Sequence, residues 1–475
     1  MKGSIYNSSF EELKSFFIDL NEKAFRADQL WNWLYVKGIN ELEIINNISA
    51  KVMKKVGSKY HISYFSVSKK VISKDGTRKW LFKLEDGKEI ETVYIPDKNR
   101  GTICVSSQVG CTLSCSFCHT GSDYFHKLNK FSEDRVKKEI EYIGKKASNL
   151  GITNLHMADV NFGMYPQDRT TCELLLESKK KYNWPLQIMA TTGKNSKKRV
   201  TEITNILGDM FSVNMSMQSM DEQVLRNIKR ANIKLDHMIE INDHLRSQGR
   251  STKAELIMPL PGETIETFVT GLNNILNSNA SSLTIYTLMM LNGTEFKNPE
   301  FRKKHGYQGK YRIVPLNFGE YAGERVFDVE EVGIATKDMS FKQYISLRVL
   351  ALLVESLHNG KPFNEFFKYA KNSKIEAGTL LKIMNDNISQ ASNKIQEIIN
   401  GFIEETKGEL WDSEQELVDH YKKDENYEKL KAGKVGGNLI YKYKSKNLVE
   451  ASSDWIDFFE KQLFIEIKKK QISAT

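Results

Sequence analysis

Four of the five cysteines in this chain, Cys104, Cys111, Cys115 and Cys118, fall within fifteen residues; the fifth is Cys172. Three of them stand in the segment Cys111-Thr112-Leu113-Ser114-Cys115-Ser116-Phe117-Cys118, a C-x3-C-x2-C spacing. Three thiolates can ligate three irons of a 4Fe–4S cube, and the fourth iron then keeps a site open to an outer ligand that can take an electron directly. A structural zinc ion asks instead for four closed ligands. Cys104 or His119 could complete such a set, so counting ligands leaves both metals open. The spacing, placed directly behind a strand, favours the iron–sulfur cube.

Such a cluster needs a frame. From about residue 100 to 330 the pattern alternates between apolar strands and amphipathic helices. The strands are Ile152–Met157, Leu186–Thr191, Phe211–Met217, Lys253–Met258 and Ser282–Leu288; the helices include Glu133–Lys145, Arg169–Lys181, Asp221–Ile228 and Thr264–Leu276. Strands separated by crossover helices imply a parallel sheet, and the predicted fold class is α/β, a partial TIM-type β/α barrel. Residues 8–60 read as helices, and residues 62–106 as β-hairpins turning at Asp75-Gly76 and Asp86-Gly87. Residues 331–475 are mostly helical. The expected division is an N-terminal helical domain (1–60), a β-rich adaptor (61–100), the barrel (101–330) and a C-terminal helical region (331–475).

Bulk properties narrow the class. The chain has 475 residues, 40% hydrophobic and 27% charged, as in an ordinary globular protein. No apolar run approaches the roughly 18 residues of a membrane span, and no apolar signal core follows Met1-Lys2-Gly3. The expected location is the cytoplasm, a reducing compartment in which clustered cysteines indicate metal or redox chemistry. The formal net charge is +9, and residues 51–80 hold nine Lys/Arg against one acid, Asp75, with Tyr60, Tyr64, Phe65 and Trp80 among them. That mixture suits an RNA backbone and its bases, and equally a solvated lysine-rich face.

The cysteine spacing, with Phe117 just before its last cysteine, resembles the signature of the radical S-adenosylmethionine (SAM) superfamily. The resemblance implies a 4Fe–4S cluster on Cys111, Cys115 and Cys118, SAM as cofactor, and Phe117 beside it. It also implies reductive cleavage of SAM to a 5′-deoxyadenosyl radical and a reductant such as flavodoxin or ferredoxin. The family binds SAM at strand C-termini. The corresponding positions are Asp159 and Asn161 for the amino group, where the usual Gly-Gly-Glu is absent, then Thr192, then Ser216 and Gln218. Leu260-Pro261-Gly262-Glu263-Thr264 resembles the adenine-side loop.

Two finer resemblances divide the chain. Residues 1–128 resemble the RlmN/Cfr family of RNA adenosine methyltransferases, through Phe25-Arg26-Ala27-Asp28-Gln29-Leu30-Trp31, Asp75–Trp80, Ile90–Pro96 and Thr102–Cys111. This implies ribosomal or transfer RNA as partner and Cys104 as a catalytic cysteine that resolves a protein–RNA adduct. That family also needs a methyl-carrying cysteine near the C-terminus, and no cysteine follows Cys172. Residues 152–450 instead resemble radical SAM enzymes that usually carry a cobalamin domain, through Asp159–Pro166, Met215–Arg230, Glu255–Thr264, Tyr286–Thr294, Asn317-Phe318-Gly319-Glu320 and Gly436-Gly437-Asn438. The cobalamin domain is expected to be absent, since no Asp-x-His-x-x-Gly occurs. The chain thus reads as a hybrid that cleaves SAM. Its expected substrate is a small molecule or glycan precursor, with RNA adenosine methylation as the alternative. A non-catalytic RNA-binding iron–sulfur protein is the reading from another class.

Overall fold

Apolar residues at helical spacing over Leu13, Phe17, Leu30, Leu34 and Val56 close a small core among the first three helices, α1 (Phe10–Asp19), α2 (Phe25–Trp31) and α3 (Ala50–Lys59). A π-helical turn, Asn32–Lys37, extends α2 and ends on Gly38 in the left-handed region. The computed structural model describes every residue except 1–2, 6–7, 9, 63–65, 74–75, 84–88, 97–100, 106–107, 110–115, 117–128, 193–196, 233, 322 and 475. It divides into two compact units: residues 1–110 with 127–213, and residues 111–126 with 214–475.

In the first unit the core of α1–α3 is followed by an antiparallel run, β1 (Ser66–Ile72), β2 (Arg78–Lys83), β3 (Glu89–Pro96) and β4 (Gly101–Val105). Gly76 turns the first hairpin with φ +83°, a conformation glycine adopts without a Cβ penalty. The segment Ser63–Phe65, expected to begin a strand, and the expected turn at Asp86-Gly87 lie outside the described residues. Helix α4 (Glu133–Asn149), N-capped by the Ser132 hydroxyl, then leads to β5 (Ile152–Phe162). Helix α5 (Gln167–Tyr182) crosses to β6 (Gln187–Thr192), and α6 (Lys197–Leu207) follows. Strand β5 pairs in parallel with both β4 and β6. This is the parallel, helix-connected arrangement that the alternating pattern requires.

The second unit takes up the end of β7 (Phe211–Gln218) and continues through α7 (Glu222–Asn227) and α8 (Leu235–Ser247) to β8 (Thr252–Met258). Helix α9 (Ile265–Asn277), opened by a reciprocal Thr264–Thr267 capping box, crosses to β9 (Ser282–Thr287), parallel to β8. After α10 (Pro299–His305) comes a long antiparallel hairpin, β10 (Gln308–Tyr321) with β11 (Glu324–Ala335). Eight helices complete the chain: α11 (Phe341–Leu353), α12 (Asn364–Asn372), α13 (Ala377–Asp386), α14 (Asn393–Gly408), α15 (Glu414–Lys422), α16 (Asp424–Lys431), α17 (Leu439–Glu450) and α18 (Ser452–Ala474). Helix α11 is buried nearly all round, so it serves as the hydrophobic axis of this region. The fold is α/β with a parallel sheet, an N-terminal helical and hairpin region and a helical C-terminal region, as expected from sequence. Among the described residues, no helix is long and apolar enough to cross a membrane.

Candidate functional site

In the first unit the candidate residues collect where β5 and β6 end. The register runs Ala190 opposite Met157 and then Thr192 opposite Phe162, so two residues of β6 face five of β5. The surplus forms a bulge holding Asp159 and Asn161, buried at 3% and 2% exposure. Bulges re-aim side chains at strand ends, and here the device falls on the two residues assigned to the SAM amino group. Thr192 closes β6 beside them. Cys104 lies further back, on β4 opposite His156, half-buried.

The loop after this bulge is braced by a residue the sequence did not single out. Asp168, fully buried, accepts from the Gly163 and Tyr165 amides at 2.8 and 2.9 Å. Burial raises its carboxyl pKa, and the loop amides oppose that shift. Gly163 has φ +86°, and a Cβ there would meet Ile203 Cδ1 at 2.3 Å. Asp168→Ala should leave both amides without an acceptor and cost about 2 kcal/mol or more of stability. Asp168→Asn, which keeps one acceptor oxygen, should cost less; a urea melt in which the two variants match wild type would show the brace to be idle. Cys172, two turns from the loop, is fully buried in α5, and burial holds its thiol far above the ordinary range. A sealed, protonated thiol is a poor nucleophile.

In the second unit the described part of the cysteine loop is Ser116; Cys111, Cys115, Phe117 and Cys118 lie outside the described residues. Ser116 is buried, its amide donates to the Ile228 carbonyl at 3.0 Å, and its carbonyl accepts from the Glu295 amide at 3.2 Å. Two residues past Ile228, the buried Arg230 donates to the Ser216 carbonyl. Asn232 donates to the Met217 and Ser219 carbonyls at 2.7 and 2.8 Å. The cysteine loop is therefore tied through Ile228–Asn232 to the end of β7, where Ser216 and Gln218 stand. The Ser216 hydroxyl donates to Glu255 at 2.5 Å, and the Asn214 amide donates to the same carboxylate at 2.7 Å. Gln218 is buried, takes φ +67°, and its Oε1 has no hydrogen-bond partner among the described residues.

A second unforeseen group locks this turn. Glu263, 1% exposed in the loop after β8, accepts from the Ser219 hydroxyl at 2.8 Å. Burial pushes its carboxyl pKa up to about 8, with nearby Asp221 adding to the shift; the Ser219 hydroxyl and the Leu260 backbone oppose it. Sequence reasoning placed Glu263 in the adenine-side loop without a role of its own. Burial of a carboxyl has no local sequence signal.

A 4Fe–4S cluster with SAM fits the described residues around it. The motif supplies three thiolates from one loop, and the described residue of that loop is anchored on both sides of its backbone. An orphaned buried carbonyl, Gln218 Oε1, stands at the neighbouring strand end, as a site lacking its ligand would present.

Separately, the first unit carries a groove of about 520 Å³ between α2 with its π-turn and the C-terminal halves of α4 and α5. Trp31 and Tyr35 face it with ring centroids 4.4 Å apart, together with Tyr142 and the lysines 145, 146 and 181. Lys138 lies 4.5 Å from the Trp31 ring, and burial lowers its pKa. The stretch 51–80 presents Lys51, Lys54, Lys55, Lys69 and Lys70 to solvent, but Tyr60 is buried against Phe16 in the helical core. Tyr64 and Phe65 of that stretch lie outside the described residues.

Residues 105–273 match the family model described as the Radical SAM superfamily, and residues 4–62 match that of the ribosomal RNA large subunit methyltransferase N-terminal domain. Among curated proteins, the chain is 51% identical over 116 residues to a dual-specificity RNA methyltransferase RlmN from Magnetococcus marinus, covering 24% of this chain and 33% of that protein. It is 46% identical over 125 residues to the RlmN of Bartonella quintana, covering 25% and 31%. The chain thus spans about a third of the length of these relatives. Among solved structures, a radical SAM methyltransferase from Sphaerobacter thermophilus aligns with TM-score 0.42 and 19% identity over 60% of this chain and 85% of that one. The cobalamin-dependent radical enzyme OxsB aligns with TM-score 0.41 and 12% identity over 88% and 66%.

Proposed function

We propose that this chain, which carries a radical SAM domain behind an rRNA-methyltransferase-type N-terminal domain, cleaves SAM reductively in order to modify RNA. The supporting observation is the N-terminal match to RNA methyltransferases, which moves the preference from a small-molecule substrate to RNA. The Trp31–Tyr35 groove is flanked by Lys145 and Lys146, which supply charge for phosphates, and by ring faces for bases; its Lys181 is paired with Glu141 on the same wall. When bound, the cluster and SAM supply one-electron chemistry; the protein's part is to hold and orient them. In this reading Cys111, Cys115 and Cys118 ligate the cluster. Asp159, Asn161, Thr192, Ser216 and Gln218 hold SAM, and the Glu263–Ser219 bond keeps the β7 turn in shape.

The groove yields a direct expectation. RNA affinity should fall steeply with salt, and reversing Lys145 and Lys146 to Glu should weaken binding about tenfold and flatten the salt slope. Filter binding across a salt series measures both, and salt-independent binding would remove the groove from the reading.

A second reading is favoured by one observation. Methyl transfer by the two-cysteine route needs a reactive partner for Cys104, and Cys172 is sealed inside α5. The test is incubation of cluster-loaded protein with unmodified RNA, SAM and a reductant, followed by mass spectrometry of nucleosides and of SAM products. RNA modification that requires Cys115 supports the main reading. SAM cleavage with RNA left unmodified would transfer the substrate to the small-molecule class.

A further inference from the structure

Helix α11 carries a buried arginine with one N–H left over. Arg348 is 6% exposed and its Nε has no hydrogen-bond partner among the described residues. No carboxylate of the described residues forms an ion pair with it, and its guanidinium carbon lies 5.7 Å from the Phe402 ring. An arginine remains charged when buried, and a buried donor left without an acceptor costs stability. The carboxylates nearest in the same pocket have partners of their own. Glu355 binds Lys444 at 2.7 Å and Asn359 at 2.6 Å, while Glu409 takes Arg312 at 2.9 Å, which also binds Glu330 at 2.6 Å.

The pocket is real space, about 160 Å³, bounded by β9, α11 and the start of α17. Helix α17, twelve residues long, begins here: Asn438 is its N-cap, accepting from the Tyr441 amide at 3.2 Å. The first amides of a helix have no intrahelical acceptor, and its dipole favours negative charge at that end. Leu439 and Ile440, which carry those amides, line the same pocket as Arg348. Four residues of the sequence segments that the proposed function leaves unused, Tyr286, Thr287, Gly437 and Asn438, line the same space.

We infer that Arg348 and the N-terminus of α17 form an oxyanion site, which takes the phosphate or carboxylate end of a small ligand. The volume is about five times the roughly 30 Å³ share of one liquid water. That suffices for one anionic group. The inference does not depend on RNA being the substrate.

The test is thermal melting of the full chain in inorganic phosphate or acetate, each against chloride at equal ionic strength. At an anion concentration about tenfold above Kd, phosphate or acetate should raise Tm by about 2 °C over chloride, and the larger response identifies the group. Arg348→Met, close in volume, should raise Tm in chloride because it removes an unpaired buried charge, and should abolish the anion response. Gly437→Asp is the second variant. A Cβ at Gly437 meets nothing within 4 Å, so the variant folds into open space and sets a carboxylate at the pocket. It should abolish the anion response by repulsion, even if Arg348→Met fails to fold. Equal melting in all three anions, or an anion response that survives in either folded variant, overturns the site.

Discussion

Cys115→Ala protein, reconstituted anaerobically, should bind essentially no iron and form no 5′-deoxyadenosine or methionine from SAM, where wild type binds about four irons. The expectation rests on stoichiometry. A cube held by three thiolates has no spare ligand, so the loss of one removes a whole corner of the coordination. Cys111→Ala and Cys118→Ala should behave alike. Ser116→Ala is the control, because Ser116 is held through its backbone to Ile228 and Glu295. That variant should keep both iron and cleavage. Wild-type SAM cleavage by Cys115→Ala would remove the central claim.

The second large effect is a pH dependence of stability carried by Glu263. Its carboxyl titrates at about 8 when folded, against 4.5 when free. Between those values the folded state holds a proton that the unfolded state has released. The contribution is therefore fully present below about pH 4.5 and is lost as pH rises to about 8. The slope is at most about 1.4 kcal/mol per pH unit, a few kcal/mol over the window. Glu263→Gln keeps an acceptor for the Ser219 hydroxyl and cannot ionise, so its urea midpoint should change less between pH 6 and pH 8.5. SAM affinity should follow, because ionised Glu263 strains the turn that places Gln218. Identical pH slopes in wild type and variant would show that the carboxyl titrates normally.

The strands were legible because each is an apolar run between turns. Those expected at Ile152, Phe211 and Ser282 begin at those residues. The helices expected at Glu133–Lys145 and Thr264–Leu276 run Glu133–Asn149 and Ile265–Asn277, where Ser132 and Thr264 cap them. The hairpin of β10 and β11 escaped notice. The first half of β11 alternates exposed and half-buried residues and its second half is continuously buried, so no single period marks that strand. The bulge at Asp159 was illegible for a related reason: register is a property of two strands, and one strand's sequence does not contain it. The roles of Asp168, Glu263 and Arg348 arise from burial by residues distant in sequence, which local pattern cannot report.

The contacts of Ser116 also set a timetable. Ser116 is translated before most of the unit it belongs to, and both of its backbone partners, Ile228 and Glu295, come later in that same unit. At about 5–20 residues per second, the roughly 180 residues that separate Ser116 from Glu295 take on the order of 10–40 s to synthesise. Throughout that interval the nascent chain lacks the Glu295 bond that holds the Ser116 carbonyl. The complete clamp on Ser116 is therefore available once Glu295 has been made, with about 180 residues of the chain still to follow.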